Sequence, residues 1–285
     1  MILYSRSAIA LLLLALAHPC AAAVVEEVVE LPVTVKDMYG RSVSRPIKVT
    51  VFRDNSFPRA PFLILNHGRA MKQEDREKLG RARYTDNSKY FLARGFAVFV
   101  PTRIGYGVTG GDDVEYSGTC GGKQYLPGYE AAAEQTRKVL EHARSLPYVD
   151  ASRGLVIGQS FGGATAITIA ADNPQGVIAT VNFAGGGGGN PIDSPEKPCR
   201  PDLLEKMFAG YGATAKIPTL WVYSENDRYF GIEKPKEWFQ AFQAAGGKGE
   251  FVQLPPHGKD GHPSFTSNSA AWKPAFEDFL RRNGF

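Results

Sequence analysis

The chain has 285 residues, 43% hydrophobic and 22% charged, and its formal net charge of +4 is not gathered into any long run. Such a composition supports a sizeable buried core and excludes a disordered polymer. With so weak a charge bias, neither nucleic acid nor an anionic membrane surface is expected as a partner.

Residues 1–23 carry one early cation at Arg6, an apolar stretch over 9–17, and then Ala21, Ala22 and Ala23. This pattern is that of a cleavable export signal, and its apolar part is too short to span a bilayer. Residues 24–285 are then expected as a single mature domain, periplasmic or secreted, with no stable membrane association. Cys120 and Cys199 are the cysteines left after cleavage. In an oxidising compartment two such thiols usually pair, so a Cys120–Cys199 disulfide is expected. Neither lies in a Cys-x-x-Cys or beside a histidine, so no metal site is expected.

Segments 24–35 and 47–52 are β-branched and flank the turn Asp37-Met38-Tyr39-Gly40, which predicts an antiparallel hairpin. Continuous apolar runs at 61–66 and 96–100 suit strands buried on both faces, with a helix over 87–94 between them. Helical periodicity over 128–146 places Tyr129, Ala132, Val139 and Leu140 on one stripe and His142 on the exposed side. Further strands are predicted at 155–157, 177–183, 219–223 and 251–254. Helices at 163–171, 235–245 and 270–282 alternate with them. The glycine run 185–189 opens an irregular insert after the sixth strand, reaching about residue 217, with a short helix over 202–208. Strands alternating with helices predict an α/β fold, a mostly parallel sheet covered on both faces.

Gly158-Gln159-Ser160-Phe161-Gly162 follows the run Leu155-Val156-Ile157 and precedes a helical segment. A G-x-S-x-G between strand and helix is the signature of a nucleophile elbow, where glycines leave room for a bend that exposes the serine oxygen. Serine needs a base, and the base needs an orienting acid, expected in the order Ser, Asp or Glu, His, each beyond the carboxyl end of a strand. The acid candidate is Asp227, in the turn Ser224-Glu225-Asn226-Asp227, with Glu225 as the alternative. The base candidate is His262, deep in the loop Pro255–Pro263, with His257 as the alternative on a stiffer stretch behind two prolines. Two backbone N–H donors are expected to hold the developing oxyanion, those of Phe161 and of Arg69 in the loop His67-Gly68-Arg69-Ala70. The Arg69 side chain faces either an anionic substrate group or solvent.

These motifs, in this order across 47–265, resemble the α/β-hydrolase superfamily and, within it, the dienelactone-hydrolase-like branch. The resemblance implies an α/β-hydrolase fold of about eight strands with the second antiparallel, and no metal or organic cofactor. One departure stands out: dienelactone hydrolases proper use a cysteine nucleophile, and here the position is Ser160. That favours hydrolysis of a small-molecule ester over lactone specificity.

Trp221, Tyr223, Phe230 and Tyr106, with Tyr229 and Phe161, are candidates to line an apolar pocket, although Trp221 and Tyr223 suit the core equally. The loop 103–107 and the insert carrying Cys199 are expected to roof the site, pinned by the disulfide. Three readings follow: an exported carboxylic-ester hydrolase, a prolyl-oligopeptidase-like peptidase, or a non-catalytic binding protein on a hydrolase scaffold. Oligomeric state is not legible.

Overall fold

Strands that are apolar on both sides must be covered on both sides, and here they are. The computed structural model describes residues 24–285; the expected leader, with Cys20, lies outside the described residues. The elements run β1 (Val24–Lys36), β2 (Ser42–Asp54), β3 (Ala60–Asn66), α1 (Gln73–Glu77), α2 (Thr85–Leu92), β4 (Ala97–Thr102), α3 (Tyr125–Ser145) and β5 (Val149–Gln159). They continue α4 (Phe161–Asp172), β6 (Val177–Phe183), α5 (Pro201–Gly212), β7 (Thr219–Ser224), α6 (Glu233–Ala244), β8 (Gly249–Leu254), α7 (Ser264–Ser267) and α8 (Ser269–Arg282).

The eight strands form one sheet in the order β1-β2-β4-β3-β5-β6-β7-β8. β2 pairs antiparallel with both β1 and β4, and the other pairings are parallel. The alternation of side chains along each strand splits the core into two layers. Phe62 and Ile64 of β3 face the layer beneath α3 to α6, with Tyr129, Ile167, Phe208 and Trp238. Leu63 and Leu65 face the layer beneath α2 and α8, with Phe91, Trp272 and Phe276. Among the described residues no helix is long and apolar enough to cross a membrane.

The structure departs from the sequence reading at several places. α1 and α7 are short helices inside segments expected to be loops. α2 closes at Leu92 rather than at residue 94. The insert is less irregular than expected: α5 is a twelve-residue helix with Pro201 at its start, packed through Phe208 against Trp221 and Trp238. Only the stretch before Pro201 is an excursion. His142 is half-buried, edge-on to Phe99 at 6.4 Å.

Cys120 and Cys199 are disulfide-bonded, with Cα atoms 5.3 Å apart and a separation of 79 in sequence. Closing so long a loop removes unfolded-state entropy, worth about 2–4 kcal/mol in typical cases. Replacing both cysteines by serine should lower the unfolding free energy by about that amount, read as a fall in the urea midpoint. An unchanged midpoint would show that the excursion is held without the bond.

Candidate active site

β5 passes into α4 through a single residue, Ser160, with φ 56° and ψ −124°. A non-glycine residue rarely sits there, and the conformation costs about 1–3 kcal/mol unless its surroundings impose it. Here the surroundings do. A Cβ on Gly158 would lie 2.1 Å from the Gly162 carbonyl oxygen, and one on Gly162 would lie 2.3 Å from that of Asn66. The ends of β3 and β5 and the start of α4 therefore close on one another without side chains between them. The Ser160 amide donates to Phe183 O at 2.8 Å, which ties the bend to β6.

Asp227 follows β7 and is fully buried. Its Oδ1 accepts the amides of Tyr229 (2.8 Å) and Phe230 (3.1 Å), and its Oδ2 lies 2.9 Å from His262 Nδ1. His262 Nε2 lies 3.0 Å from Ser160 Oγ. The imidazole thus bridges hydroxyl and carboxylate through its two nitrogens. Tyr229 stacks on it at 4.0 Å and Phe230 meets it edge-on at 5.2 Å, so the ring is packed on two sides. The alternatives lie apart from this arrangement: Glu225 is exposed, and the His257 amide is bonded to Asn226 Oδ1.

Sequence reasoning missed the residues that hold the two loops together. Asp260 Oδ1 accepts the amides of both Arg228 and His262, at 3.0 Å each. Asn226 accepts the His257 amide and donates to the carbonyls of His257 and Gly258. The signal was available: Asn and Asp in turns habitually bond nearby backbone.

A model of the dienelactone hydrolase family matches residues 79–277, more than half of the chain. The chain belongs to that family. No curated protein matches it. Among solved structures it is similar in fold to an acetyl xylan esterase from Paenibacillus sp. R4 (17% identity, TM-score 0.60, covering 93% of this chain and 90% of that one). It is also similar to a dienelactone hydrolase-like promiscuous phosphotriesterase from metagenomic libraries (15%, 0.59, 90% and 98%). An esterase from Pyrococcus furiosus shares the fold as well (15%, 0.55, 89% and 92%).

In this member of the dienelactone hydrolase family, the surroundings of Ser160 mix charged and apolar side chains. It stands between two clefts of about 520 and 590 Å³. The first is lined by Phe161, Tyr229 and Phe230, by Cys199 and the glycines 186–189, and by Arg69, Arg76, Asp113 and Lys123. The glycine run is there because the wall leaves no room: a Cβ on Gly188 would lie 2.1 Å from the Tyr125 hydroxyl. The second cleft is lined by His67, Gly68, Arg69, Tyr84 and His262.

Of the six residues expected to line the pocket, Phe230, Tyr229 and Phe161 do and three do not. Trp221 is buried on β7 among Phe208, Phe239 and Phe242. Tyr223 is buried beside it, its hydroxyl donating to Gly185 O at 2.6 Å. Both lie within β7, whose faces are covered by helices, so neither can reach a cleft. Tyr106 is buried behind Arg69, donating to Glu115 Oε2 at 2.6 Å. The loop 103–107 accordingly backs the site rather than roofing it; Arg103, Ile104 and Tyr106 are all buried. The excursion with Cys199 does form a wall of the first cleft.

The Arg69 side chain borders the clefts with its charge already taken, for Asp113 holds it at 2.6 and 2.5 Å. Arg76 reaches the same carboxylate at 3.2 Å. Lys123 bonds neutral oxygens, Gly118 O at 2.6 Å and Ser117 Oγ at 3.4 Å, and pairs with no carboxylate among the described residues. Burial, and then Arg69, push its ammonium below the ordinary value. Among the described residues no three His, Cys, Asp or Glu side chains gather as a metal site requires.

His67 is buried, and burial followed by the Arg103 charge drives its pKa well below the ordinary 6.5. In the unfolded chain this imidazole gains a proton below about pH 6.5, so there the unfolded state binds more protons and the folded state loses stability as pH falls. One such group contributes a slope of up to about 1.4 kcal/mol per pH unit. Unfolding at pH 7 and pH 5 should therefore show a shallower loss in His67→Asn than in the wild type. Equal slopes would mean that His67 is protonated in the fold.

Proposed function

We propose that this chain is an exported serine hydrolase that cleaves carboxylic esters through an acyl-enzyme, with residues 24–285 as one catalytic domain. The observation that carries the reading is the placement of His262 within hydrogen-bond reach of both Ser160 (3.0 Å) and Asp227 (2.9 Å). Ser160 Oγ attacks the ester carbonyl while His262 Nε2 takes its proton and then passes it to the departing alcohol. Asp227 accepts from Nδ1–H, fixing the tautomer and balancing the imidazolium that forms. The backbone N–H groups of Phe161 and Arg69 receive the carbonyl oxygen as it gains charge. Among the described residues neither amide is taken by a protein acceptor. Water then attacks the acyl-enzyme with His262 as base, releasing the acid and restoring Ser160.

The disulfide supports export, since such bonds persist in oxidising compartments. Two clefts meeting at Ser160 suit an ester with acyl part on one side and alcohol part on the other. Their volumes favour small or medium esters over long lipids. In the first cleft Asp113 is shared by Arg69 and Arg76 while Lys123 has no carboxylate partner among the described residues, so an ester bearing its own carboxylate is matched at Lys123.

A fluorophosphonate should label Ser160, located by peptide mass spectrometry. Activity on short aryl esters should fall by about 10⁴- to 10⁶-fold in Ser160→Ala and His262→Ala and stay at the wild-type level in His257→Ala. Folded protein that takes no label and cleaves no ester removes the hydrolase reading. Within an aryl-ester pair of matched size, Lys123→Met should raise KM about tenfold for the carboxylate-bearing member, the loss of one charge-assisted contact of about 1.4 kcal/mol. KM for the neutral member should not move. An equal effect on both would assign Lys123 to the wall alone.

A further inference from the structure

The loop that carries the Arg69 amide is held from behind by a buried ionic assembly. Arg103 and Glu115 are both fully buried and paired through the guanidinium, and Tyr106 donates to the same carboxylate. Arg103 Nη1 donates to His67 O at 2.8 Å, and Nη2 reaches Gly68 O at 3.5 Å. The His67 ring lies between: its Nε2 faces the Arg103 amide at 3.2 Å, and its Nδ1 faces Gly68 O at 2.7 Å. These two contacts decide the tautomer. A backbone N–H can only donate, so Nε2 is the bare nitrogen; a carbonyl can only accept, so the proton is on Nδ1. The ring is neutral, in line with its burial beside a guanidinium.

Described residues contain no cis peptide bond, so the Gly68–Arg69 unit is trans. In a planar trans peptide the carbonyl and the following N–H point in opposite directions. Tying Gly68 O back toward His67 and Arg103 therefore turns the Arg69 N–H the other way. Arg69 lines both clefts, and a Cβ on Gly68 would lie 3.2 Å from Ser160 Cβ, so this loop abuts the serine directly.

We infer that His67, as the neutral Nδ1–H tautomer braced by the Arg103–Glu115 pair, is a positioning residue that aims the Arg69 amide at the developing oxyanion. The inference rests on the ester-hydrolase reading. It assigns His67 an effect on kcat rather than on KM, because the bond it aims is strongest in the transition state.

Asparagine and glutamine separate the two ring contacts. Asn sets its amide near the position of Nδ1 and keeps the bond to Gly68 O. Gln sets its amide near Nε2 and keeps only the bond from the Arg103 amide. With kcat normalised to the fraction of Ser160 labelled by fluorophosphonate, His67→Asn should stay within about threefold of wild type. His67→Gln should lose about ten- to a hundredfold, short of the loss for deleting a donor outright, with KM within about twofold. Affinity for a trifluoromethyl ketone, which forms a tetrahedral oxyanion on the serine, should fall in parallel with kcat. Nitrogen NMR of the wild-type imidazole should show the Nδ1-protonated neutral form from pH 8 to pH 5.

Equal kcat in the two variants, or a change in KM alone, overturns the inference while leaving the hydrolase reading in place. An Nε2-protonated ring or an imidazolium overturns it without any variant, so a variant that fails to fold does not shelter it. Wild type that neither labels nor hydrolyses removes the hydrolase reading and this inference with it.

Discussion

Three backbones converge on Ser160, and they leave no space for a Cβ at Gly158 or Gly162. That closeness forces the left-handed φ at Ser160, because β5 must turn into α4 within one residue. The strain, about 1–3 kcal/mol, is small beside the burial of β3, β5 and β6 on both faces, so the sheet imposes the bend and not the reverse. Two consequences follow. The serine side chain is lifted above the sheet edge, where clefts open on either side of it. The Phe161 amide, at the first position of α4, has no carbonyl a turn earlier to bond and faces that same space.

The charges around the clefts divide by burial. Taking an ion pair out of water costs several kcal/mol per ion, and only good geometry with further hydrogen bonds offsets it. Arg103 and Glu115 meet that condition, since the guanidinium also serves two carbonyls and the carboxylate also takes the Tyr106 hydroxyl. Removing either partner would strand the other in the core. Arg69 and Arg76 are spent on Asp113 in the same manner, nearer the surface. Most of the positive charge thus stiffens the loop beside Ser160. Lys123 alone among these cations bonds only neutral oxygens, which leaves its charge to act on whatever enters the cleft.

The parts of this arrangement that were legible in the sequence are those with a short-range cause. Buried strands announce themselves as unbroken apolar runs, and the elbow needs its glycines at fixed offsets. The start of α5 was legible too, within one residue: Pro201-Asp202 is a favoured helix opening, with proline at the first position and an acid in the first turn, and only the length of the helix was underestimated. Trp221 and Tyr223 could have been excluded on physical grounds, because a side chain inside a strand covered by helices on both faces belongs to the core. Only residues past the carboxyl end, such as Phe230, can line a cleft there. By contrast, Arg69–Asp113 and Arg103–Glu115 join loop residues 44 and 12 positions apart, and no periodicity connects such positions.

The choice of histidine shows how strand order sets loop length. β8 lies at the sheet edge, with β7 and β6 between it and β5. At roughly 4.8 Å per strand, about 14 Å separates the end of β8 from the strand that presents Ser160. His257 comes three residues after Leu254, a span of at most about 10 Å even when fully extended. Two prolines restrict that stretch, and Asn226 Oδ1 stops it at the turn after β7. The next five residues change the anchorage: Gly261 bonds Asn226 O, then Asp260 bonds the amides of Arg228 and His262. The loop thus grips the turn on both sides, at Asn226 and at Arg228, and Asp227 lies between them. A base that is to touch both Asp227 and Ser160 needs the longer reach, which is why the histidine stands at 262 rather than at 257.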